Sequence, residues 1–246
     1  MKILNNEKCF RTIVCNLVIV CLIAVFGSLC VYETKNKTIQ TANSEYNGTI
    51  YAGDKTSKNV SLMVNVYWGN EHLEKMLETF DKHNIKTTFF VGGSWAKENA
   101  ELLKKISEAG HEIASHGTNH KEHAKISYED NLTEIQTCHE IVKLLTSKNM
   151  ELFAPPGGSY NKNTTKAAEF LGYKTIMWTR DTIDWRDKDA NLIYNRAVTN
   201  LCGGDLILMH PTECTAEALP KIIDHIIQKG YTVCPVSDTL GLSNKA

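Results

Sequence analysis

Short apolar runs alternate with amphipathic segments along most of the chain from residue 59 onward. Seven runs have the length and the β-branched or aromatic content of buried strands. They are residues 60–66, 87–91, 111–115, 151–154, 174–178, 205–209 and 231–236. Between them, apolar residues recur at helical spacing, as in Leu73, Met76 and Phe80. This alternation predicts an α/β domain with parallel strands over residues 59–246.

The N-terminal part of the chain has a different pattern. Residues 12–32 are almost wholly apolar and carry no charge, and their number is about what a helix needs to cross a bilayer. Basic residues within 1–11 favour a cytoplasmic N-terminus and an extracytoplasmic domain. The apolar run is longer than that of a signal peptide, so an uncleaved, single-pass signal anchor in the cell membrane is favoured over a cleaved signal. Residues 33–58 are polar and aperiodic, which predicts an extracytoplasmic linker.

Charge and cysteine spacing narrow the classes of function. A formal net charge of -1 gives no electrostatic case for a nucleic-acid partner, whereas a neutral polymer such as a glycan is compatible with it. The cysteines of the body form no C-x-x-C pair, which argues against a zinc ribbon or a thioredoxin-type site. Disulfides and buried free thiols both stay open for these residues, which are Cys138, Cys202, Cys214 and Cys234.

Candidate catalytic groups follow the carboxyl ends of several predicted strands. His116 and His120 come after the third strand, and their spacing lets two imidazoles hold one metal ion. His210 comes after the sixth strand and is placed to donate a proton. Residues 154–157 and 181–185 follow the fourth and fifth strands. Because parallel strands closed into a barrel present their carboxyl ends on one face, we expect these residues to form one site.

The order of these motifs resembles that of the polysaccharide deacetylase family, the NodB homology domain or carbohydrate esterase family 4, over residues 59–242. Residues 116–120 (HGTNH) are similar to the family's H-[ST]-x-x-H motif, and residues 181–185 (DTIDW) to its D-x-x-D-W motif. Residues 208–210 (LMH) are similar to its Leu-x-His motif. The resemblance implies a distorted (β/α) barrel of about seven parallel strands.

The resemblance also implies roles for the matching residues. His116 and His120 would be ligands of a divalent metal such as zinc. His210 would be the general acid, and Asp184 would tune it. The substrate would be the N-acetyl group of a cell-wall glycan, either peptidoglycan or a chitin-like oligosaccharide. The pocket for that group would be lined by Trp185, Leu208, Gly157 and Tyr160.

Two motifs depart from the family pattern. Where the family has T-F-D-D-G, with a general base and a third metal ligand, the chain has Asn65-Val-Tyr67-Trp68-Gly. Where the family has R-P-P-Y-G, the chain has Ala154 in place of the arginine that would orient the base. A phenol with a pKa of about 10 is a poor base at neutral pH. Losing a general base costs roughly 10²–10⁴ in rate, and two imidazoles hold zinc weakly compared with three protein ligands.

Two functions therefore stay open from the sequence. The first, toward which the motif matches lean, is a metal-dependent hydrolase that removes N-acetyl groups from a cell-wall glycan. The second is a pseudoenzyme that binds glycan through aromatic side chains without turnover. A structural membrane protein would leave the strand-end motifs unexplained. Four residues are candidates to replace the missing carboxylates, although each also fits a solvated surface position: Asn65, Glu71, Glu122 and His123.

Overall fold

Parallel strands make up the sheet of this computed structural model, which describes residues 48–243. The strands are β1 (Thr49–Ile50), β2 (Asn59–Val66), β3 (Thr88–Val91), β4 (Glu112–Ser115), β5 (Leu152–Phe153), β6 (Lys174–Ile176), β7 (Arg180–Asp181), β8 (Leu206–Met209) and β9 (Thr232–Val233). Their order is β1-β6-β5-β4-β3-β2-β8-β7, and β9 also pairs with β2. Each of these pairings is parallel. The curled sheet confirms the predicted distorted barrel.

Helices connect the strands, and four of the eight described helices begin after a side chain that caps the first turn. The eight helices are α1 (Asn70–Lys82), α2 (Gly93–Glu98), α3 (Ala100–Glu108), α4 (Tyr128–Thr146), α5 (Lys162–Phe170), α6 (Ala190–Val198), α7 (Glu213–Gln228) and α8 (Val236–Thr239). Ser127 accepts a hydrogen bond from the backbone of Asp130 before α4, and Asn161 forms a capping box with Thr164 before α5. The polar residues between apolar runs therefore set where these helices start.

Two apolar layers bury opposite faces of β2. Val60, Leu62 and Val64 pack into the larger cluster between the sheet and the helices. Met63 points the other way and packs with Phe90 inside the curled sheet, in a cluster that includes Val236 of α8. Burial on both faces is the reason that this strand reads as a continuous apolar run rather than as an alternating one.

The seven predicted strands are all present, and the structure adds two short ones. One of them, β1, lies inside residues 33–58, for which the sequence predicted a linker. Thr49 and Ile50 pair with Thr175 and Ile176, and Gly53 N donates to Gly204 O at 2.8 Å. The end of the predicted linker is thus part of the sheet, and the predicted boundary at residue 59 is wrong. A two-residue strand is too short to show a periodicity of its own.

The predicted segments 1–11 and 12–32 lie outside the described residues, as does the first part of the predicted linker. Among residues 48–243, no helix combines the length and apolar character that crossing a bilayer requires. The four body cysteines, for which the sequence left two alternatives, are free thiols. One of them, Cys138, is fully buried and donates to Val91 O at 3.4 Å.

His111 is a buried histidine that the fold holds in its neutral form. Its ring lies 5.5 Å from that of Phe80 and 5.0 Å from that of Phe89. Its Nδ1 accepts a hydrogen bond from Thr87 N at 3.2 Å. Burial, with a smaller contribution from the positive charge of Lys86, lowers the pKa of His111 to about 4.

We therefore predict that His111 makes the domain less stable in mild acid. In the unfolded chain this imidazole titrates near pH 6.5, so protons bind the unfolded chain preferentially between about pH 6.5 and 4. The free energy of unfolding is therefore highest above pH 6.5, and the titration of His111 lowers it by on the order of 3 kcal/mol as the pH falls through this window. Urea unfolding at pH 7 and pH 4.5 should show a smaller pH-dependent loss for His111→Gln than for the wild type. Equal losses in the two proteins would contradict the prediction.

Candidate functional site

Residues from distant parts of the sequence meet at the carboxyl edge of the sheet. β2 pairs in parallel with β3 on one side and with β8 on the other, and β3 pairs with β4. The residues that follow these strands, Tyr67, His116 and His210, therefore emerge at one edge. This is the convergence that the strand-end positions predicted.

The two histidines of the HGTNH segment lie side by side. Their ring centroids are 5.2 Å apart with an edge-on geometry. His116 is fully buried, and its Nδ1 lies 2.7 Å from Ala154 O. Because a carbonyl only accepts, His116 donates through Nδ1–H, which leaves the Nε2 lone pair free. Burial lowers the pKa of both imidazoles, and a nearby histidine lowers each further, so both are in the neutral form that can bind metal.

A buried carboxylate on α4 holds the loop between these histidines. Glu134 Oε2 accepts from Thr118 N at 2.9 Å and from Asn119 N at 2.7 Å. Its Oε1 accepts from Asn119 Nδ2 at 2.8 Å and from Lys121 Nζ at 3.1 Å. Burial alone would raise the pKa of Glu134, but the donors of Asn119, Lys121 and Thr118 outweigh it and hold the pKa below its usual value.

Sequence reasoning missed Glu134, although a signal was available. The residue lies in the stripe of α4 positions that includes Asn131, Ile135 and Cys138, all of them buried. A carboxylate on the buried face of an amphipathic helix is unusual unless donors reach it. That position could have marked Glu134 as the partner of a nearby loop.

His210 is held by a buried carboxylate from the loop after β7. Asp184 Oδ1 lies 2.8 Å from His210 Nδ1, and Asp184 Oδ2 accepts from His210 N at 2.6 Å. Thr215, which the sequence did not single out, donates from Oγ1 to the same Oδ2 at 2.6 Å. The side chain of Asp184 is 0% exposed and that of His210 is 16% exposed. The carboxylate fixes the Nδ1–H tautomer, so Nε2 is the ring nitrogen left for chemistry.

Aromatic rings occupy the positions where the family pattern has two carboxylates. The Tyr67 ring lies 4.9 Å from that of His120. The Trp68 ring stacks on that of His210, with centroids 5.9 Å apart and an interplanar angle of 5°. Trp68 is nevertheless 44% exposed, so one part of its ring system faces solvent. Each aromatic substitution thus contacts one of the two retained histidine groups.

The four candidates for replacing the carboxylates divide by burial. Glu71 and Glu122 are exposed, as their surface alternative predicted. Asn65 and His123 are buried, so the surface alternative is wrong for them. His123 binds Asn131 Oδ1 through Nδ1 at 2.7 Å and packs on Phe153 at a ring distance of 4.9 Å. His123 is buried through its contacts with Asn131 and Phe153, which come later in the chain, and the sequence did not show these contacts.

The donor set does not fit a zinc centre with three protein ligands. Within residues 48–243, no group of three or more histidine, cysteine or acidic residues is arranged to hold a metal ion. His116 and His120 provide two imidazoles, and an aromatic ring rather than a carboxylate packs on the second of them. Two neutral ligands without an anionic one favour weak binding of a divalent metal.

The predicted pocket residues lie on two sides of the carboxyl edge. Trp185 is 58% exposed, whereas Leu208 on β8 is buried. Gly157 and Tyr160 follow β5, three strands away from β2 in the sheet order. The Tyr160 hydroxyl bonds that of Tyr51 at 2.6 Å. Tyr51 was missed because it falls in the predicted linker.

Comparison with known proteins shows which protein family the chain is similar to. A family model described as polysaccharide deacetylase matches residues 52–176. The uncharacterized protein YlxY of Bacillus subtilis is 38% identical over 191 residues, which cover 78% of this chain and 60% of YlxY. The chain thus spans less than two thirds of that relative. The peptidoglycan-N-acetylmuramic acid deacetylase PdaA of Bacillus subtilis is 28% identical, covering 77% of this chain and 74% of PdaA. The name of PdaA describes a deacetylase that acts on peptidoglycan, which is the class of reaction that the sequence predicted.

The solved structures include a neighbour of particular relevance. The crystal structure of a CE4 family pseudoenzyme from Bacillus anthracis is 36% identical with a TM-score of 0.77, and the match covers 79% of this chain and 69% of that one. A mutant of that pseudoenzyme with restored enzymatic activity matches at 34% identity and a TM-score of 0.77, over 79% of this chain and 71% of the mutant.

We predict that Glu134→Gln destabilises the fold and loosens the histidine loop. The glutamine would lose the negative charge and turn an N–H toward donors that need an acceptor, which should cost about 1.5–3 kcal/mol. Urea unfolding measures the loss, and histidine ring signals in NMR spectra report the loop. Glu140→Gln is the matched control, because Glu140 is exposed on the same helix, and it should change stability by less than about 0.5 kcal/mol. Equal stability of the two variants would contradict the role of Glu134.

Proposed function

The chain belongs to the polysaccharide deacetylase family, and from that premise we propose that it binds an N-acetylated cell-wall glycan and that its own hydrolysis of the acetamide is impaired. The observation that carries this proposal is the pair of aromatic contacts, Tyr67 on His120 and Trp68 on His210. They occupy the positions from which relatives with the full motif would supply a base and a metal ligand. The pseudoenzyme from Bacillus anthracis is a precedent within the family.

The glycan assignment rests on the exposed aromatic surfaces and on the relatives. Trp68 and Trp185 are 44% and 58% exposed, and flat amphipathic rings of this kind suit the faces of sugar rings. PdaA is named for a peptidoglycan substrate. An uncharged acetylated glycan also agrees with the net charge of -1. We expect peptidoglycan or a chitin-like oligosaccharide to be the ligand.

The retained residues account for only one part of amide hydrolysis. The reaction needs an activated water, a stabilised oxyanion and a proton for the leaving amine. His210, oriented by Asp184, can provide the proton from Nε2. A divalent metal, when bound, would activate water and polarise the carbonyl, but within residues 48–243 the site offers it the imidazoles of His116 and His120 without a third ligand. The missing base by itself accounts for a rate lower by roughly 10²–10⁴.

A metal-dependent deacetylase of ordinary activity is the second candidate. The specific observation in its favour is the intact acid group, in which Asp184 binds both Nδ1 and the backbone N of His210 and is itself bound by Thr215. A buried carboxylate of this kind is costly to keep without a use for the histidine. The metal would be zinc or a similar divalent ion held by His116 and His120.

We also propose that the domain works outside the cell membrane. Residues 12–32 would form the single-pass anchor, with residues 1–11 in the cytoplasm. A cell-wall glycan lies on the outer side of that membrane, so the anchor would place the domain on the same side as its proposed ligand.

Acetate release from acetylated peptidoglycan and chitooligosaccharides separates the two candidates. We predict that the full-length protein, in detergent with added zinc or cobalt, releases acetate at least about 10²-fold more slowly than the triple variant Tyr67→Asp, Trp68→Asp, Ala154→Arg. The variant restores the carboxylates and the arginine of the family pattern.

Controls assign the activity to the site. Adding His210→Ala to the triple variant should abolish the restored release, because the leaving amine then lacks its proton donor. Wild-type release equal to that of the triple variant, and lost in His116→Ala, would favour the second candidate. Isothermal titration of the wild type with acetylated oligosaccharide tests binding independently of turnover.

A further inference from the structure

The loop that carries Asp184 contains a strained turn. Ile183 has a φ of 55°, which lies in the left-handed region that a β-branched residue rarely adopts. Its backbone N donates to Asp181 Oδ1 at 2.8 Å, and its carbonyl accepts from Arg186 N at 3.2 Å and from Asp187 N at 3.0 Å. Because Asp184 is the next residue, the direction of its carboxylate depends on the conformation of this turn.

One side chain from α6 joins the two ends of the turn. Arg196 Nη1 donates to Thr182 O at 2.9 Å, and Arg196 Nη2 donates to Asp187 Oδ2 at 2.6 Å. Thr182 precedes the strained residue and Asp187 follows it, so the planar guanidinium spans the turn from one end to the other. The side chains of Arg196 and Asp187 are each 24% exposed, so the pair is largely shielded from solvent.

The first end of the turn is also bound to the sheet. Thr182 donates to Leu208 O from its backbone N at 3.2 Å and from its Oγ1 at 2.8 Å. It is therefore bound to β8 on one side and to Arg196 on the other. The turn cannot relax without breaking one of these contacts, which keeps the Asp184 carboxylate within bonding distance of His210.

We propose that Arg196 is a positioning residue for the acid group: it holds the strained turn in the conformation that lets Asp184 bind His210. Arg196 acts through Asp184, and the nitrogen that donates the proton is still His210 Nε2. The assignment rests on the proposed function, which makes His210 the proton donor, whereas the tautomer of the His210 ring can be measured without any glycan.

Nitrogen NMR of the full-length protein with isotopically labelled histidine tests the proposal. At about pH 8, where a free imidazole is neutral, the wild-type His210 ring should be in the Nδ1–H tautomer that Asp184 selects. Arg196→Met removes both donors and keeps an apolar stem of similar length. We expect the ratio of the Nδ1–H to the Nε2–H tautomer to fall about tenfold in this variant. The signals that His210→Ala lacks identify the ring.

Activity gives a second measurement, because a positioning role predicts which kinetic constant changes. In the triple variant, adding Arg196→Met should lower the kcat of acetate release by about tenfold and leave KM within about twofold. A higher KM with an unchanged kcat would contradict the proposed role, since it would mean that Arg196 serves binding of the glycan.

Arg186→Met is the matched control. Arg186 binds the same Asp187 carboxylate, from Nε and Nη2 at 2.9 Å each, but it lies on the exposed side and its removal leaves the contact with Thr182 O in place. Its tautomer ratio should stay within about twofold of the wild type. Equal falls in the two arginine variants would overturn the assignment, because the charge beside Asp187 rather than the bridge would then matter.

The remaining outcomes separate the bridge from other causes. An unchanged ratio in Arg196→Met would overturn the assignment and would mean that the bonds of Asp184 to His210 and Thr215 suffice. Adding Ile183→Gly covers an unfolded single variant, since glycine adopts this φ without steric strain and should restore the fold and the ratio to within about threefold. No recovery would overturn the role of the turn. A wild type that binds no glycan would overturn the proposed function and leave the tautomer result standing.

Discussion

The parallel pairing of β2 with β3 and β8 is the constraint on which the rest of the structure depends. It buries β2 on both faces, and it also aligns the carboxyl ends of the neighbouring strands. His116 and His210 are 94 residues apart in the sequence numbering, and only this alignment brings them to one edge. A shift of one residue in either ladder would exchange the side chains that β2 presents to the two apolar clusters and would move Tyr67 away from His120.

The site retains two parts of the family pattern, the His116 and His120 pair and His210. The side chains that hold these two parts in place are not the ones that differ from the family pattern. Glu134 holds the histidine loop through backbone and side-chain donors, and Asp184 with Thr215 holds His210. Neither carboxylate contacts Tyr67 or Trp68 in the hydrogen-bond network of residues 48–243. The histidine geometry therefore persists where the first motif carries aromatic rings. This separation gives a physical account of how a member of the family can lose groups of the reaction and keep the shape of its groove.

Much of the fold and half of the site could be predicted from the sequence. Seven of the strands lie in apolar runs that are long enough to stand out, and the HGTNH, DTIDW and LMH segments locate His116, Asp184 and His210. β1 and β7 have two residues each and lie outside such runs, so no pattern predicts them. Glu134, Thr215 and Tyr51 act through contacts across 16, 31 and 109 residues of sequence, and such partners follow from packing rather than from spacing.

The sequence by itself determined which residue types are available, namely two imidazoles, one histidine with a carboxylate partner and no carboxylate in the first motif. It also determined the parallel α/β architecture, because hydrophobic periodicity is a local property of the chain. Only the tertiary structure decided that Asn65 and His123 are buried rather than solvated. Burial and hydrogen bonding depend on contacts between side chains that are far apart in the sequence, and no short segment of the chain shows which of these contacts form.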